Sequence, residues 1–212
     1  MNETAYEVPA DETSARITEK KSRFIAHLVR VSSEEEAAAF IRDKKKEYWD
    51  ARHNCSAFVI GAGHEITRCS DDGEPSGTAG RPMLDVLLAS GLHDTAAVVT
   101  RYFGGVLLGT GGLVRAYSSV LQLACDAAPR MTVQYGCPAR ITAGYTELGK
   151  IENLLHGLRL AAEETVYAED VTIRLMVPSH LVNRLKKDLT ECTNARAQLY
   201  LGDAQWYEHK KL

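Results

Sequence analysis

Two polar segments rich in glycine constrain this chain more than any other feature of its sequence. One reads SDDGEPSGTAGRP from Ser70 to Pro82, and the other reads RYFGGVLLGTGGLVRAY from Arg101 to Tyr117. Together they hold eight glycines beside three acids and three arginines. Glycine adds conformational entropy that folding must overcome, so such a concentration indicates backbone that needs special freedom or close approach. We therefore expect the functional site on a surface built from these two segments.

The second segment predicts a β-strand, a glycine loop and an α-helix in succession. Thr95 to Phe103 is dense in β-branched and aromatic residues, as strands are. Apolar residues then recur at helical spacing from about Gly111 to Ala127. A helix N-terminus carries unpaired N–H groups and a partial positive charge, and glycines let an anion approach that backbone closely. Arg101 and Arg115 would flank an anion bound there.

This interpretation predicts a ligand-binding set for phosphate or RNA around the glycine loop. Its members are Arg101, Tyr102, Gly104, Gly105, Gly111, Gly112 and Arg115. The alternative is that the glycines only permit tight turns and close packing, and the sequence leaves both interpretations open. The spacing matches neither a P-loop nor a Rossmann fingerprint.

Three carboxylates, Asp71, Asp72 and Glu74, lie within four positions of the first segment. They can ligate Mg²⁺, which prefers oxygen ligands, so the metal content of this loop is left open. They can also cap local amides in an Asx-type turn. The favoured interpretation is that they pair with the arginines of the two segments and hold the segments in register.

His53, Thr78 and Arg81 are the expected rim of the site. His53 directly precedes a predicted strand that starts near Cys55, so it can reach the end of a sheet. A catalytic histidine needs a nucleophile and an orienting partner, and neither is evident in the sequence. No catalytic residue is therefore assigned, and no cofactor is expected apart from the Mg²⁺ considered above.

Composition narrows the class of protein. The chain has 212 residues, 45% of them hydrophobic and 25% charged, which is ordinary for a globular protein with a real core. No stretch approaches the roughly 20 apolar residues that span a bilayer, and the acidic N-terminus lacks the layout of a signal peptide. We expect a cytoplasmic protein with no membrane partner. A formal charge of −3 argues against non-specific coating of nucleic acid, although it permits a local basic patch.

The order of predicted elements indicates an α+β protein of two domains, residues 1–129 and 130–212. The first domain mixes strands and helices, with Ser33 and Glu36 as a capping box at the start of one helix. Pro82 lies in the first turn of a second helix, which Gly91 ends. The second domain has the order β-α-β-β-α-β of the ferredoxin-like fold.

Four motifs resemble the IMPACT/YigZ family, in its bacterial two-domain form. They are KSRFIA, ARHNCSAFVIG, SDDGEPSGTAGRP and VVTRYFGGVLLGTGGLVRAY, and they cover the first domain almost entirely. The resemblance implies that the first domain is a β-α domain like domain IV of elongation factor G, a fold that GHMP kinases share. It also implies that the second domain is similar to domain V of the same factor.

The resemblance further implies a link to translation. A chain similar to the tip of a translocase would contact the ribosome or a structured RNA, and the eukaryotic relatives regulate translation by competing for an activator of a starvation-sensing kinase. The leading hypothesis is thus a non-enzymatic regulatory protein that binds the ribosome or RNA through the glycine-rich surface. Two alternatives remain: an enzyme acting on a nucleotide or small phosphorylated substrate, and a module that binds a regulatory protein.

Overall fold

The computed structural model describes residues 5–209, which form two compact units. Residues 6–132 make up one unit, and residues from 133 onward make up the other together with Ala5. Helices and strands are mixed in both units, so the predicted two-domain α+β class is confirmed. Among the described residues, no helix is long and apolar enough to cross a membrane.

The first unit is built on an antiparallel five-stranded sheet. Its strands are β2 (Thr13–Glu19), β3 (Ser22–Arg30), β4 (His53–Ile60), β5 (Ile66–Ser70) and β6 (Thr95–Tyr102), in the spatial order β2-β3-β6-β4-β5. Its helices are α1 (Glu34–Glu47), α2 (Gly80–Ser90) and α3 (Thr110–Ala127). The apolar sides of α2 and α3 pack on one face of the sheet, and α1 covers the other face with a smaller apolar cluster.

The predicted helix boundaries follow from local signals that the structure bears out. Ser33 Oγ accepts a hydrogen bond from the backbone N–H of Glu36 at 3.2 Å and so caps α1. The return half of the predicted capping box is shifted by one residue, because Glu36 accepts from the backbone and hydroxyl of Ser32. Helix α2 ends at Gly91, whose φ of 72° lies in the left-handed region that favours glycine.

The second unit has the predicted ferredoxin-like order. Its elements are β7 (Arg130–Ala143), α4 (Tyr145–Gly157), β8 (Glu164–Tyr167), β9 (Val171–Pro178), α5 (Val182–Thr193), β10 (Gln198–Leu201) and β11 (Gln205–His209). The sheet runs β10-β7-β9-β8 with each of these pairs antiparallel. Leucine and isoleucine side chains of α4 and α5 pack on one face of this sheet. The opposite face remains open.

Two short strands were missed by the sequence analysis. β1 (Ala5–Pro9) and β11 each pair with β7. Each has only five residues, too few for a clear alternating pattern, and each becomes a strand by pairing with residues distant in sequence.

Candidate functional site

The glycine loop joins β6 to α3 and leaves the first turn of that helix open. Gly109 is the residue that precedes α3, and no side chain caps the helix there. The backbone N–H of Leu113 is bonded to the carbonyl of Gly109 at 3.0 Å. The N–H groups before it have no acceptor within the helix, and an 18-residue helix adds a partial positive charge at this end. The predicted arrangement of strand, loop and helix N-terminus is therefore present.

Two of the predicted glycines are needed for close packing. A Cβ on Gly104 would meet the backbone of Lys21 at 2.0 Å, and the Gly104 N–H donates to Ser22 Oγ at 3.1 Å. A Cβ on Gly112 would lie 2.9 Å from Cβ of Leu108. The alternative interpretation, that glycine here allows tight packing, accounts for both positions.

The other glycines differ in their reasons. Gly105 and Gly109 have φ values of 84° and 74°, so the turn itself requires them. Gly111 has no positive φ, and a Cβ built on it would meet no atom within 4 Å. Neither backbone conformation nor packing explains glycine at this position, whereas close approach of a ligand to the helix amides does.

A cavity of about 580 Å³ opens beside the first turns of α3. It contains two cationic side chains, Lys20 and Arg115, and one acid, Glu19. The residues that line it are Ile17, Thr18, Glu19, Lys20, Leu108, Gly112, Arg115, Ala116 and Ser119. The cations share this cavity with the glycine-rich helix start, and the combination suits an anion.

The loop itself exposes apolar side chains. Phe103 is 49% exposed and Leu107 is 82% exposed, with Val106 between these two values and below both at 42%. Tyr102 donates its hydroxyl to Asp50 at 2.7 Å, and the guanidinium of Arg23 lies 4.4 Å from the centre of its ring. The surface around the glycine loop thus combines apolar, aromatic and basic side chains.

Arg101 does not stand free beside the loop. Its Nη1 donates to both carboxylate oxygens of Glu74, at 2.7 and 3.0 Å, and both side chains are more than nine-tenths buried. Tyr117 donates its hydroxyl to the same carboxylate at 2.8 Å. Nε of Arg101 is buried without a hydrogen-bond partner. Most of the charge of Arg101 is therefore balanced inside the protein, and this pair joins the acidic segment to the end of β6.

His53 and Cys55 border this buried pair without forming a nucleophilic site. His53 Nδ1 is 3.0 Å from the carbonyl oxygen of Asp72, and its Nε2 is 4.0 Å from Glu74. Cys55 Sγ donates to the carbonyl of Asp71 and to the hydroxyl of Tyr117. Burial raises the pKa of the Cys55 thiol to about 12, so the thiolate that would act as a nucleophile does not form at neutral pH.

Asp71 holds the start of α2. Its Oδ1 accepts from the backbone N–H groups of Ala79 and Gly80 at 2.9 and 2.8 Å, and its Oδ2 accepts from Gly77 at 2.8 Å. Partial burial opposes ionisation of Asp71, yet these three hydrogen bonds lower its pKa below the usual value of 3.8. This carboxylate is a cap for local amides.

Asp72 and the two remaining rim residues have separate partners. Asp72 pairs with Lys45 at 2.6 Å and accepts from the backbone of Asn54 at 2.7 Å. Thr78 is buried and donates to the carbonyl of Pro75 at 2.6 Å. Arg81 is exposed and pairs with Asp85 along its own helix at 2.9 Å.

The three acids shape the loop without converging on one point, because each faces a different set of partners. Within residues 5–209, no three His, Cys, Asp or Glu side chains could hold a metal ion together. The Mg²⁺ interpretation of the acidic segment therefore has no support in the geometry. The pairing of an acid with an arginine is present between Glu74 and Arg101.

Sequence analysis missed Lys20 and the polar role of Tyr117. Lys20 lies in the turn between β2 and β3, where Lys20 and Lys21 both have positive φ, and only the folded chain brings it to α3. Tyr117 was placed on the apolar face of its helix, where it is fully buried. A buried tyrosine usually hydrogen-bonds through its hydroxyl, and this rule would have indicated a polar partner in the core.

Comparisons with known proteins match both units. Residues 20–125 match the Impact N-terminal domain, and residues 141–196 match a domain of unknown function, DUF1949. The chain is 45% identical to the IMPACT family member YvyE of Bacillus subtilis, over 89% of this chain and 87% of that protein. It is 38% identical to the IMPACT family member YigZ of Escherichia coli, over 91% and 95%. A crystal structure described as a hypothetical protein aligns with 94% of this chain and 98% of its own, at 35% identity and a TM-score of 0.62.

Proposed function

The chain belongs to the IMPACT family, and from this premise we propose that it is a translation-linked regulatory protein that binds the ribosome or structured RNA. The binding surface is the glycine loop, the start of α3 and the neighbouring Lys20 and Arg115. The link to translation comes from the family, whose eukaryotic members regulate translation. The ligand class comes from the geometry of the surface.

The observation that carries the proposal is the cavity at the start of α3. Lys20 and Arg115 line it beside Gly112, and the adjacent Gly111 leaves the backbone uncovered. Phosphate oxygens bind well to helix amides and to flanking cations, and phosphate contacts supply most of the affinity of proteins for RNA backbones. This part of the original binding set, Gly111, Gly112 and Arg115, is the part that faces the cavity or open space.

The remaining members of that set have other tasks. Gly104 and Gly105 shape the loop, and Arg101 fixes the acidic segment through Glu74. Tyr102 contributes a ring that is already faced by Arg23. Phe103, at 49% exposure, offers an aromatic face at the loop on which an unpaired base can stack.

A protein partner is the second candidate function, and the loop tip favours it. Leu107 is 82% exposed and Val106 is 42% exposed, and neither side chain has a role in binding phosphate. Exposed apolar side chains that cluster on a loop are typical of protein contacts. In the described residues nothing comparable favours the nucleotide-directed enzyme, because the buried cluster around Glu74 offers no ionised nucleophile.

Co-sedimentation of the full chain with purified ribosomes over a salt series tests the proposal. The informative variant is Lys20→Ala/Arg115→Ala, which removes the two cations of the cavity without touching the buried ion pair. Arg42→Ala/Lys46→Ala is the matched control, because it removes one arginine and one lysine from the exposed side of α1.

Binding of the wild type should weaken as salt rises, since phosphate contacts release counterions. The cavity variant should lose at least about tenfold in affinity and show a shallower salt dependence, by about 0.7 to 0.9 per lost contact. The control should bind as the wild type does. Absence of binding at low salt, or equal loss in variant and control, would contradict the proposal.

A further inference from the structure

The open face of the second sheet carries an arrangement of side chains that the proposed function does not use. The strand register aligns four residues in one row across the sheet, in the order Tyr200, Arg140, Arg174 and Glu164. All four side chains are exposed. Their neighbours along the strands, such as Ile141 and Ile173, are buried against the helices, so the row lies on the face that no helix covers.

Two arginines are directly opposite each other in this row. Like charges at opposed positions of neighbouring strands destabilise a sheet. Arg174 is partly balanced by Glu164, which lies 2.9 Å away at the β8 side. Arg140 forms no ion pair among residues 5–209, and its one aromatic contact is the ring of Tyr200, 5.3 Å from the guanidinium carbon. The fold therefore retains an unpaired cation at the centre of an exposed sheet.

The tyrosine beside Arg140 is available to a ligand. Tyr200 is 63% exposed, so most of its ring faces solvent while Arg140 lies near it. An aromatic ring next to an arginine offers one surface for a base and one cation for the adjoining phosphate. Single-stranded RNA binds to four-stranded sheets in this way, with bases stacked on exposed aromatic side chains.

The adjacent row along the strands adds neutral hydrogen-bonding groups. Gln198, Thr142 and Thr172 are aligned there, and the hydroxyls of the two threonines lie 3.4 Å apart. Hydroxyl and amide groups can hydrogen-bond to a ribose 2′-hydroxyl, which DNA lacks. No acid lies in this row, so a phosphate backbone would meet no repulsion from it.

We propose that this open sheet face, formed by Arg140, Thr142, Thr172, Arg174, Gln198 and Tyr200, binds single-stranded RNA. Tyr200 stacks on a base, Arg140 and Arg174 contact phosphates, and the threonines contact ribose. The inference concerns a surface separate from the glycine loop, and it does not rest on the proposed function of that loop.

Fluorescence anisotropy with a labelled uridine oligonucleotide of about eight residues tests the inference on the full chain, a length within the range that such surfaces cover. Tyr200→Ala should weaken binding about tenfold, and Tyr200→Phe should restore it because the ring is retained. Arg140→Ala should weaken binding and reduce the salt slope by about 0.7. The control Arg184→Ala removes the same charge from α5, on the covered side of the sheet, and should bind as the wild type does.

Three further arms separate the outcomes. If Lys20→Ala/Arg115→Ala abolishes oligonucleotide binding while Tyr200→Ala leaves it unchanged, the sheet inference is wrong and the glycine-loop proposal stands. If the reverse holds, the sheet inference stands alone. Equal affinity for the deoxyuridine oligonucleotide would overturn the ribose contacts. Binding of oligoglutamate through Arg140, with no binding of oligouridine, would show a surface for acidic peptides and overturn the inference.

Discussion

The acidic segment and the glycine loop are similar in sequence character, yet they meet opposite environments. In the acidic segment, Asp71, Asp72 and Glu74 all bind groups of the protein itself. In the glycine loop, Gly111 faces open space and Leu107 is 82% exposed. The first segment is thus internal scaffold, and the second is a surface that the scaffold holds in place.

The difference shows that polar residues near a site need not be part of its ligand surface. A buried charge must be paired, because removal from water costs more than most other interactions return. Glu74 and Arg101 satisfy that requirement mutually, which makes them unavailable as a free acid and a free cation. Exposed amides and cations carry no such requirement and can bind a ligand from solvent.

The largest effect is expected at the ion pair of the scaffold. Arg101→Ala leaves Glu74 buried without its cation, so the free energy of unfolding should fall by about 3 to 5 kcal/mol. Urea denaturation measures this loss. The double variant Arg101→Met/Glu74→Gln removes both charges and should be more stable than the single variant. Equal stability of the two variants would show that the unpaired charge is not the cause.

A smaller effect is expected where the glycine loop turns. Gly105→Val places a β-branched residue at a φ of 84°, which should cost about 2 kcal/mol even though no atom lies within 4 Å of the new Cβ. Thermal unfolding measures the loss. Gly105→Asn should retain more stability than Gly105→Val, because asparagine tolerates positive φ better. If valine and asparagine behave alike, the backbone explanation fails.

The cap on α2 predicts a dependence on pH. Asp71→Asn should lower the free energy of unfolding by about 1.5 kcal/mol at pH 7, because hydrogen bonds to a charged acceptor are lost. The pKa of Asp71 is below 3.8 in the folded chain, so its stabilisation is present above that pH and disappears as the pH falls through the lower folded value. Denaturation at pH 7 and at lower pH should therefore show a shrinking difference between wild type and variant. A difference that stays constant with pH would contradict this account.

The smallest effect on stability, with the opposite sign, is expected at Gly111. Gly111→Ala introduces a better helix former into open space, so the chain should gain about 0.5 to 1 kcal/mol. The same methyl group should hinder a phosphate at the helix amides and weaken ribosome binding. Melting temperature and co-sedimentation are measured on the same sample. A variant that is both more stable and unimpaired in binding would place the ligand elsewhere.

Much of the fold was predictable because its signals are local. Ser33 capped its helix as expected, and Gly91 ended the next one, since both depend on residues within one turn. The β-α-β-β-α-β order of the second unit followed from hydrophobic periodicity alone. Strands β1 and β11 were missed because five residues carry too little periodicity, and their pairing with β7 is not local.

The candidate site was predictable in place and only partly in role. The glycine pattern located the loop and the helix start, because positive φ and close approach restrict those positions to glycine. It could not show that Arg101 is buried while Arg115 is exposed. Nor could it show Lys20 beside Arg115, because a turn between two strands reaches α3 only after the sheet has formed.

The sequence by itself determined the α+β class, the family and the segment that bears the open helix start, because backbone conformation and periodicity are written in neighbouring residues. The tertiary structure decided which charges are internal and which face solvent. Glu74 meets Arg101 across 27 positions and Tyr117 across 43. Whether a charge is paired depends on such distant partners and on burial, and both exist only once the sheet and its helices have packed.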